Sequence, residues 1–134
     1  MPTLTQADLN GHNGVNQWYF NAQARSVLYS SGLKVVFDKG EAYWLLSALL
    51  AHETKNIGLK AACQNDEDFD FLHFWTLTVN PDKSAVLSCR KDTDQPEVVR
   101  QEIPFTDFPL PSLTIYAGND GPGTPRKLFL PSEY

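Results

Sequence analysis

The chain has 134 residues, 42% of them hydrophobic and 12% aromatic against 20% charged, a make-up that excludes a disordered segment and predicts a single domain over 1–134. Sixteen acids against eleven Lys and Arg leave a formal charge of -5, and the cations are scattered rather than clustered, which disfavours a nucleic-acid partner. No window approaches the ~18 apolar residues of a membrane span, and Met1-Pro2-Thr3-Leu4-Thr5-Gln6 has no charged segment leading into an apolar run, so the expectation is a cytoplasmic protein.

In chain order, Leu4 to Leu9 predicts a short helix, with Thr5 as cap, Asp8 in the first turn and Leu4 stapled onto Leu9, ended by Asn10-Gly11 and Asn13-Gly14. Trp18-Tyr19-Phe20, Val27-Leu28-Tyr29 and Leu33 to Phe37 are rich in strand-forming residues, with Ser30-Ser31-Gly32 read as a tight connection. A long apolar helix is then predicted, because Asp38 and Glu41 have capping-box spacing and Ala42, Leu45, Leu46, Leu49 and Glu53 recur at helical intervals. Leu50, Tyr43 and Trp44 widen its apolar face, which calls for cover by a sheet and by a loop or a second subunit. Helical order should fail near Asn56-Ile57-Gly58.

Five strands follow, over Phe71 to Val79, Ser84 to Arg90, Val98 to Ile103, Leu113 to Tyr116 and Lys127 to Leu130, and their short polar connections favour antiparallel pairing. A helix before a run of strands, without alternation, predicts an α+β fold: a mainly antiparallel curved sheet packed on one long apolar helix, plus the short N-terminal helix. One hairpin is specified in detail. Phe71, His73, Trp75, Leu77 and Val79 share one face, and Ala85, Leu87 and Cys89 share a face of the next strand. The two apolar faces coincide only if Pro81-Asp82-Lys83 form a three-residue turn, which sets Trp75 opposite Cys89 and His73 diagonal to it.

Four constellations carry chemical meaning. His73 beside Cys89 has the residue types of an imidazole-activated thiol, although a buried histidine next to a small buried thiol is the plainer reading. His52-Glu53 matches the first half of HExxH, but position 56 is Asn and the second zinc ligand is missing. Asp66, Asp68 and Asp70 match a calcium loop until Phe71 and Leu77 occupy the positions of its glycine and bidentate glutamate, which leaves a solvated acidic loop. Gly118 to Thr124 is rich in glycine but has no helix behind it, so it reads as an inter-strand loop rather than a phosphate cradle. Cys63 and Cys89, without a CxxC, are expected to be free thiols. No metal site, cofactor motif or catalytic motif emerges.

Gln17-Trp18-Tyr19, Val27 to Gly32, Ala42-Tyr43-Trp44-Leu45-Leu46, Phe74 to Leu77, Thr106 to Leu110 and Leu130-Pro131-Ser132-Glu133-Tyr134 resemble an uncharacterised family of small bacterial proteins. The resemblance implies a family of unknown function associated with plasmids, phages and other mobile elements, and it brings no activity, cofactor or catalytic residue.

The leading expectation is therefore a small accessory module that binds a protein or a small ligand and self-associates as a homodimer. Its candidate contacts are Trp18, Tyr19, Trp44 and Asp107. The alternatives are a small hydrolase or transferase using His73, Cys89 or Asp107 in a pocket between helix and sheet, and an acidic inhibitor imitating nucleic acid through the Asp66 to Asp70 cluster.

Overall fold

The computed structural model describes residues 2–10, 17–22, 24–92, 94–121 and 124–133. The order of elements is α1 (Gln6–Asn10), β1 (Trp18–Asn21), β2 (Ala24–Ser30), α2 (Ser31–Lys39), α3 (Tyr43–Lys55), α4 (Ile57–Asn65), α5 (Glu67–Phe71), β3 (Leu72–Val79), β4 (Ala85–Arg90), β5 (Glu97–Ile103), β6 (Ser112–Gly118) and β7 (Arg126–Phe129), closed by a 3-10 turn at Pro131–Glu133. The seven strands form one sheet in the order β1-β2-β7-β6-β3-β4-β5. Every neighbouring pair is antiparallel except β2 with β7, so the sheet is mixed.

Local signals set α1. The Thr5 N–H donates to Asp8 Oδ2 at 2.9 Å and the Asp8 N–H donates to Thr5 Oγ1 at 3.4 Å, a reciprocal cap. The turn residues Gly11, Asn13 and Gly14 lie outside the described residues.

Leu33 to Phe37 departs from expectation. It is helical, and Ser30-Ser31-Gly32 is a helix start rather than a strand connection. Ser30 Oγ accepts the Leu33 N–H at 3.1 Å and donates to Glu133 Oε1 at 2.6 Å, while the Gly32 N–H donates to Glu133 Oε2 at 3.1 Å. A carboxylate brought from the far end of the chain thus meets the free N–H groups and positive dipole end of α2. The same carboxylate accepts the Leu130 N–H at 2.9 Å, which folds the C-terminal turn onto itself. Gly32 is required here, since a Cβ would stand 2.7 Å from the Glu133 carboxyl. Strand propensity at Val35 and Val36 is overridden by this cap and by the burial of Leu33, Val36 and Phe37 on one helical face.

The expected capping box at Asp38 is not formed either. Asp38 belongs to α2, where its carboxylate accepts from Lys34 Nζ at 3.0 Å and from the Tyr43 hydroxyl, and α3 begins after Ala42 without a side-chain cap. Leu45, Leu46, Leu49 and Leu50 are buried within the chain itself, leaving Tyr43, Ser47, Ala51 and Lys55 as a narrow exposed stripe. The apolar face of α3 therefore needs no second subunit to cover it.

Asn56 both ends α3 and starts α4. Its N–H donates to the His52 carbonyl at 3.2 Å while its Oδ1 accepts the Leu59 N–H at 3.0 Å. The acidic segment is also helical: Asp66 Oδ1 caps α5 through the N–H groups of Asp68 and Phe69 at 3.1 and 3.3 Å. The helical layer is thus shared among several helices, where the sequence pattern pointed to one.

The hairpin between β3 and β4 has the expected register. Asn80 and Ser84 close the turn through backbone hydrogen bonds, Pro81-Asp82-Lys83 span it, and Trp75 faces Cys89 across the ladder. Phe71 differs, for it ends α5 and is exposed rather than joining the inward face. His73, Trp75 and Leu77 of β3, Ala85, Leu87 and Cys89 of β4, and Leu113, Ile115 and Ala117 of β6 are buried on the helix side. Their alternates are mostly half-exposed and form the outer face.

Two predictions follow from these contacts. Gly32→Ala should cost about 2 kcal/mol of unfolding free energy in denaturant titrations, and less than half of that in a Glu133→Ala background, because the clash is with that carboxylate. Lys83 has a φ of 70° at the third turn position, so Lys83→Gly should raise stability by about 0.5 to 1 kcal/mol in the same assay.

Candidate functional site

Two places bring chemistry-bearing side chains together, one on each side of the sheet. On the outer face, Lys127, Gly118 and Leu72 stand side by side on β7, β6 and β3, and Phe129, Tyr116 and Phe74 occupy the next row. Phe74 stacks on Tyr116 at 4.7 Å between ring centroids, and Tyr116 meets Phe129 edge-on at 5.8 Å. A hollow of about 300 Å³ lies beside Gly118, walled by Trp18, Phe71, Leu72 and Phe129. Lys127 bounds it on one side, its ammonium 5.2 Å from the Trp18 ring centre and 2.7 Å from Asp120 Oδ2.

On the helix side, Glu53 of α3 is the hub of a buried polar network. Its side chain is 2% exposed, and Oε2 accepts from His73 Nδ1 at 2.8 Å and from Trp75 Nε1 at 2.7 Å. Oε1 faces Arg126 Nε at 3.6 Å, and Arg126 in turn donates to the Asp70 carbonyl at 2.7 Å and to Asp70 Oδ1 at 3.3 Å. With Nδ1 donating to the carboxylate, Nε2 of a neutral His73 ring is the acceptor, and the Cys63 thiol lies 3.2 Å from it. Phe69 stacks on His73 at 4.4 Å and the His52 ring tilts against Trp75 at 5.4 Å, which fixes the ring orientations. A hollow of about 210 Å³ opens over Cys63, lined also by Lys60, Gln64, Asp70 and Arg126.

The profile described as "Family of unknown function (DUF6876)" matches residues 3–134. The chain belongs to the DUF6876 family. No curated protein and no solved structure matches it. Two of the segments that carried the resemblance, Val27 to Gly32 and Leu130 to Glu133, meet at the Glu133 carboxylate, so their features have a structural cause in this DUF6876 chain; Tyr134 lies outside the described residues.

The expected contact residues do not converge. Trp18 and Tyr19 are successive residues of β1 and point to opposite sides of the sheet. Trp18 walls the outer hollow, whereas Tyr19 stacks on Tyr29 at 5.7 Å with Lys34 over its ring. Trp44 is half-buried against the core from α3, and Asp107 is exposed between the buried Thr106 and Phe108. His73 and Cys89 are 1% and 0% exposed, so no open pocket exists at that pair, and the thiol that meets His73 is Cys63. Both cysteines are free thiols.

His52 and Glu53 take separate partners, His52 facing Gln101 Oε1 at 2.8 Å. Among the described residues, no three His, Cys, Asp or Glu side chains converge as metal ligands, and no helix is long and apolar enough to cross a membrane. Two of the four acids of the cluster are paired within the chain, Asp66 with Lys91 at 3.0 Å and Asp70 with Arg126 at 3.3 Å. In the glycine-rich loop, Pro122 and Gly123 lie outside the described residues.

Sequence reasoning missed Glu53 as the hub and Cys63 as the partner of His73. The signal was present for Glu53, which sits on the buried stripe of α3 with Leu45, Leu46 and Leu49, where a carboxylate must find donors. Glu53→Leu should cost about 3 to 5 kcal/mol in chemical denaturation, since it leaves the Trp75 and His73 N–H groups without their acceptor and removes one of the two carboxylates that face Arg126.

Proposed function

We propose that this protein is a small ligand-binding module that takes a flat, apolar molecule on the outer face of its sheet, in the hollow above Gly118. The observation that carries this reading is a hollow beside a row of rings, lined by a glycine of the neighbouring row. An outer sheet face that only meets water alternates to polar residues, whereas here Trp18, Phe71, Leu72 and Phe129 wall a hollow that Gly118 also lines. Its volume of about 300 Å³ matches a one- or two-ring molecule, and its walls are mostly apolar with a few polar groups at the rim, as in small-molecule sites generally. Lys127 and Asn119 supply polar contacts that would orient the ligand. The resemblance to small proteins of plasmids, phages and other mobile elements extends the proposal to an accessory role on such an element in a bacterial cytoplasm.

Titration with N-phenylnaphthylamine, a neutral two-ring fluorophore, tests the site. Saturable binding of about one probe per chain is expected, with affinity falling at least tenfold in Gly118→Leu, whose side chain fills the hollow. Gly118→Ala adds a Cβ that meets its neighbours at ordinary distances of 3.4 to 3.6 Å, so it checks partial filling without straining the sheet. Absence of saturable binding, or equal affinity in both variants and the parent, overturns the proposal.

A further inference from the structure

We propose that Cys63 is a nucleophile activated by His73 and held in register by Glu53, and that the hollow above it admits the acyl group of a small activated ester or thioester. This reading is independent of the outer-face site and lies on the opposite side of the sheet.

Three elements assemble the relay. Leu59, Ala62 and Cys63 share the inward side of α4, His73 projects from β3 toward the helices, and Glu53 reaches the ring from the last turn of α3. The chain of contacts runs Cys63 Sγ to His73 Nε2 at 3.2 Å and His73 Nδ1 to Glu53 Oε2 at 2.8 Å, the nucleophile–base–orienter arrangement of acyl-transfer sites. Trp75 and Arg126 hold the Glu53 carboxylate from two further sides, so the imidazole tautomer and ring plane are set before any substrate arrives. Cys63 is only part-buried, unlike Cys89, and the hollow of about 210 Å³ gives it an approach from solvent.

The groups facing the thiol are His73 of β3, Glu53 of α3, Asp70 of α5, Arg126 of β7, Cys89 of β4 and, on α4 itself, Lys60. Burial pushes the Cys63 thiol up to about 11, with Asp70 and Glu53 adding to the shift and Arg126 opposing it. At neutral pH the sulfur is therefore a thiol donating to Nε2, and it becomes nucleophilic only as that proton leaves. In the acylation step the S–H bond breaks, its proton goes to Nε2, and the S–C bond forms at the carbonyl carbon. The oxygen that gains charge faces a hollow with Lys60 and Arg126 in its lining. Collapse expels the alcohol or thiol leaving group, which takes the proton back from Nε2; water then repeats the sequence to release the acid and restore the thiol.

The test uses the intact protein and p-nitrophenyl acetate. A burst of about one equivalent of nitrophenol per chain is expected, followed by slower release as water clears the acyl group, with one acetyl group located on Cys63 by peptide mass spectrometry of the quenched burst, and with both retained in Cys89→Ala and lost in Cys63→Ala. Base assistance predicts a rate that levels off well below the thiol's own titration at about 11. In His73→Gln the levelling should vanish and the rate should fall at least a hundredfold at neutral pH. Where that variant does not fold, the pH profile of the parent protein decides. A parent rate that simply climbs with thiolate concentration, acetylation confined to lysines, or no labelling of Cys63 overturns the proposal and leaves the cysteine as a hydrogen-bond donor that satisfies a buried histidine.

Discussion

The fold depends on a carboxylate placed where water cannot reach it. Burying Glu53 costs several kcal/mol unless its oxygens are met, and the structure meets them with an indole N–H and an imidazole N–H from β3 and a guanidinium from β7. These directional contacts lock the last turn of α3 over the middle of the sheet, and they fix the azimuth of the helix in a way that the leucines alone would not. Trp75, fully buried, becomes both the largest packing unit of β3 and a donor, which is why no other apolar residue could stand there without loss. Arg126 carries the same constraint outward to Asp70 and the end of α5.

A second carboxylate does comparable work in the 3-10 turn after β7. Glu133 is 6% exposed and joins the C-terminal turn, the end of β2 and the start of α2 through three hydrogen bonds. With both carboxylates spent on architecture, the two sides of the sheet acquire different characters. The helix side is dry and holds a polar network around one reachable thiol. The outer side keeps a row of half-exposed rings with Gly118 in the row beside it. Each of the two proposed activities uses the side whose physical character suits it: apolar recognition where rings surround a gap, and proton transfer where a ring is held rigidly out of water.

Much of the β architecture was legible in the residues. The five C-terminal strands appear within two residues of their expected limits, and the register of β3 on β4 followed from requiring two apolar faces to coincide. Where expectation departed from the structure, specific hydrogen bonds that periodicity does not register decided. Leu33 to Phe37 has strand-like composition, but Glu133 lies about a hundred residues away and supplies the helix cap. The Asp66 to Asp70 stretch looked like a solvated loop because its carboxylates were counted as charges, whereas Asp66 is a cap and Asp70 an arginine partner. Cys63 escaped attention because α4 has only one fully buried side chain, Leu59, and so a weak periodic signal.

Sequence alone determined the α+β class, the alternation that separates inward from outward residues in the later strands, and the free state of two thiols, since each depends on neighbours in the chain or on composition. Only the tertiary structure decided which histidine meets which cysteine, which carboxylate is buried, and that a glycine lines a hollow beside a row of rings. Those outcomes depend on contacts between different elements of the fold, such as Cys63 with His73, Glu53 with Arg126 and Gly118 with Lys127 and Leu72. Local periodicity constrains the direction of a side chain but not the identity of what it meets, and chemistry at a site depends on that identity.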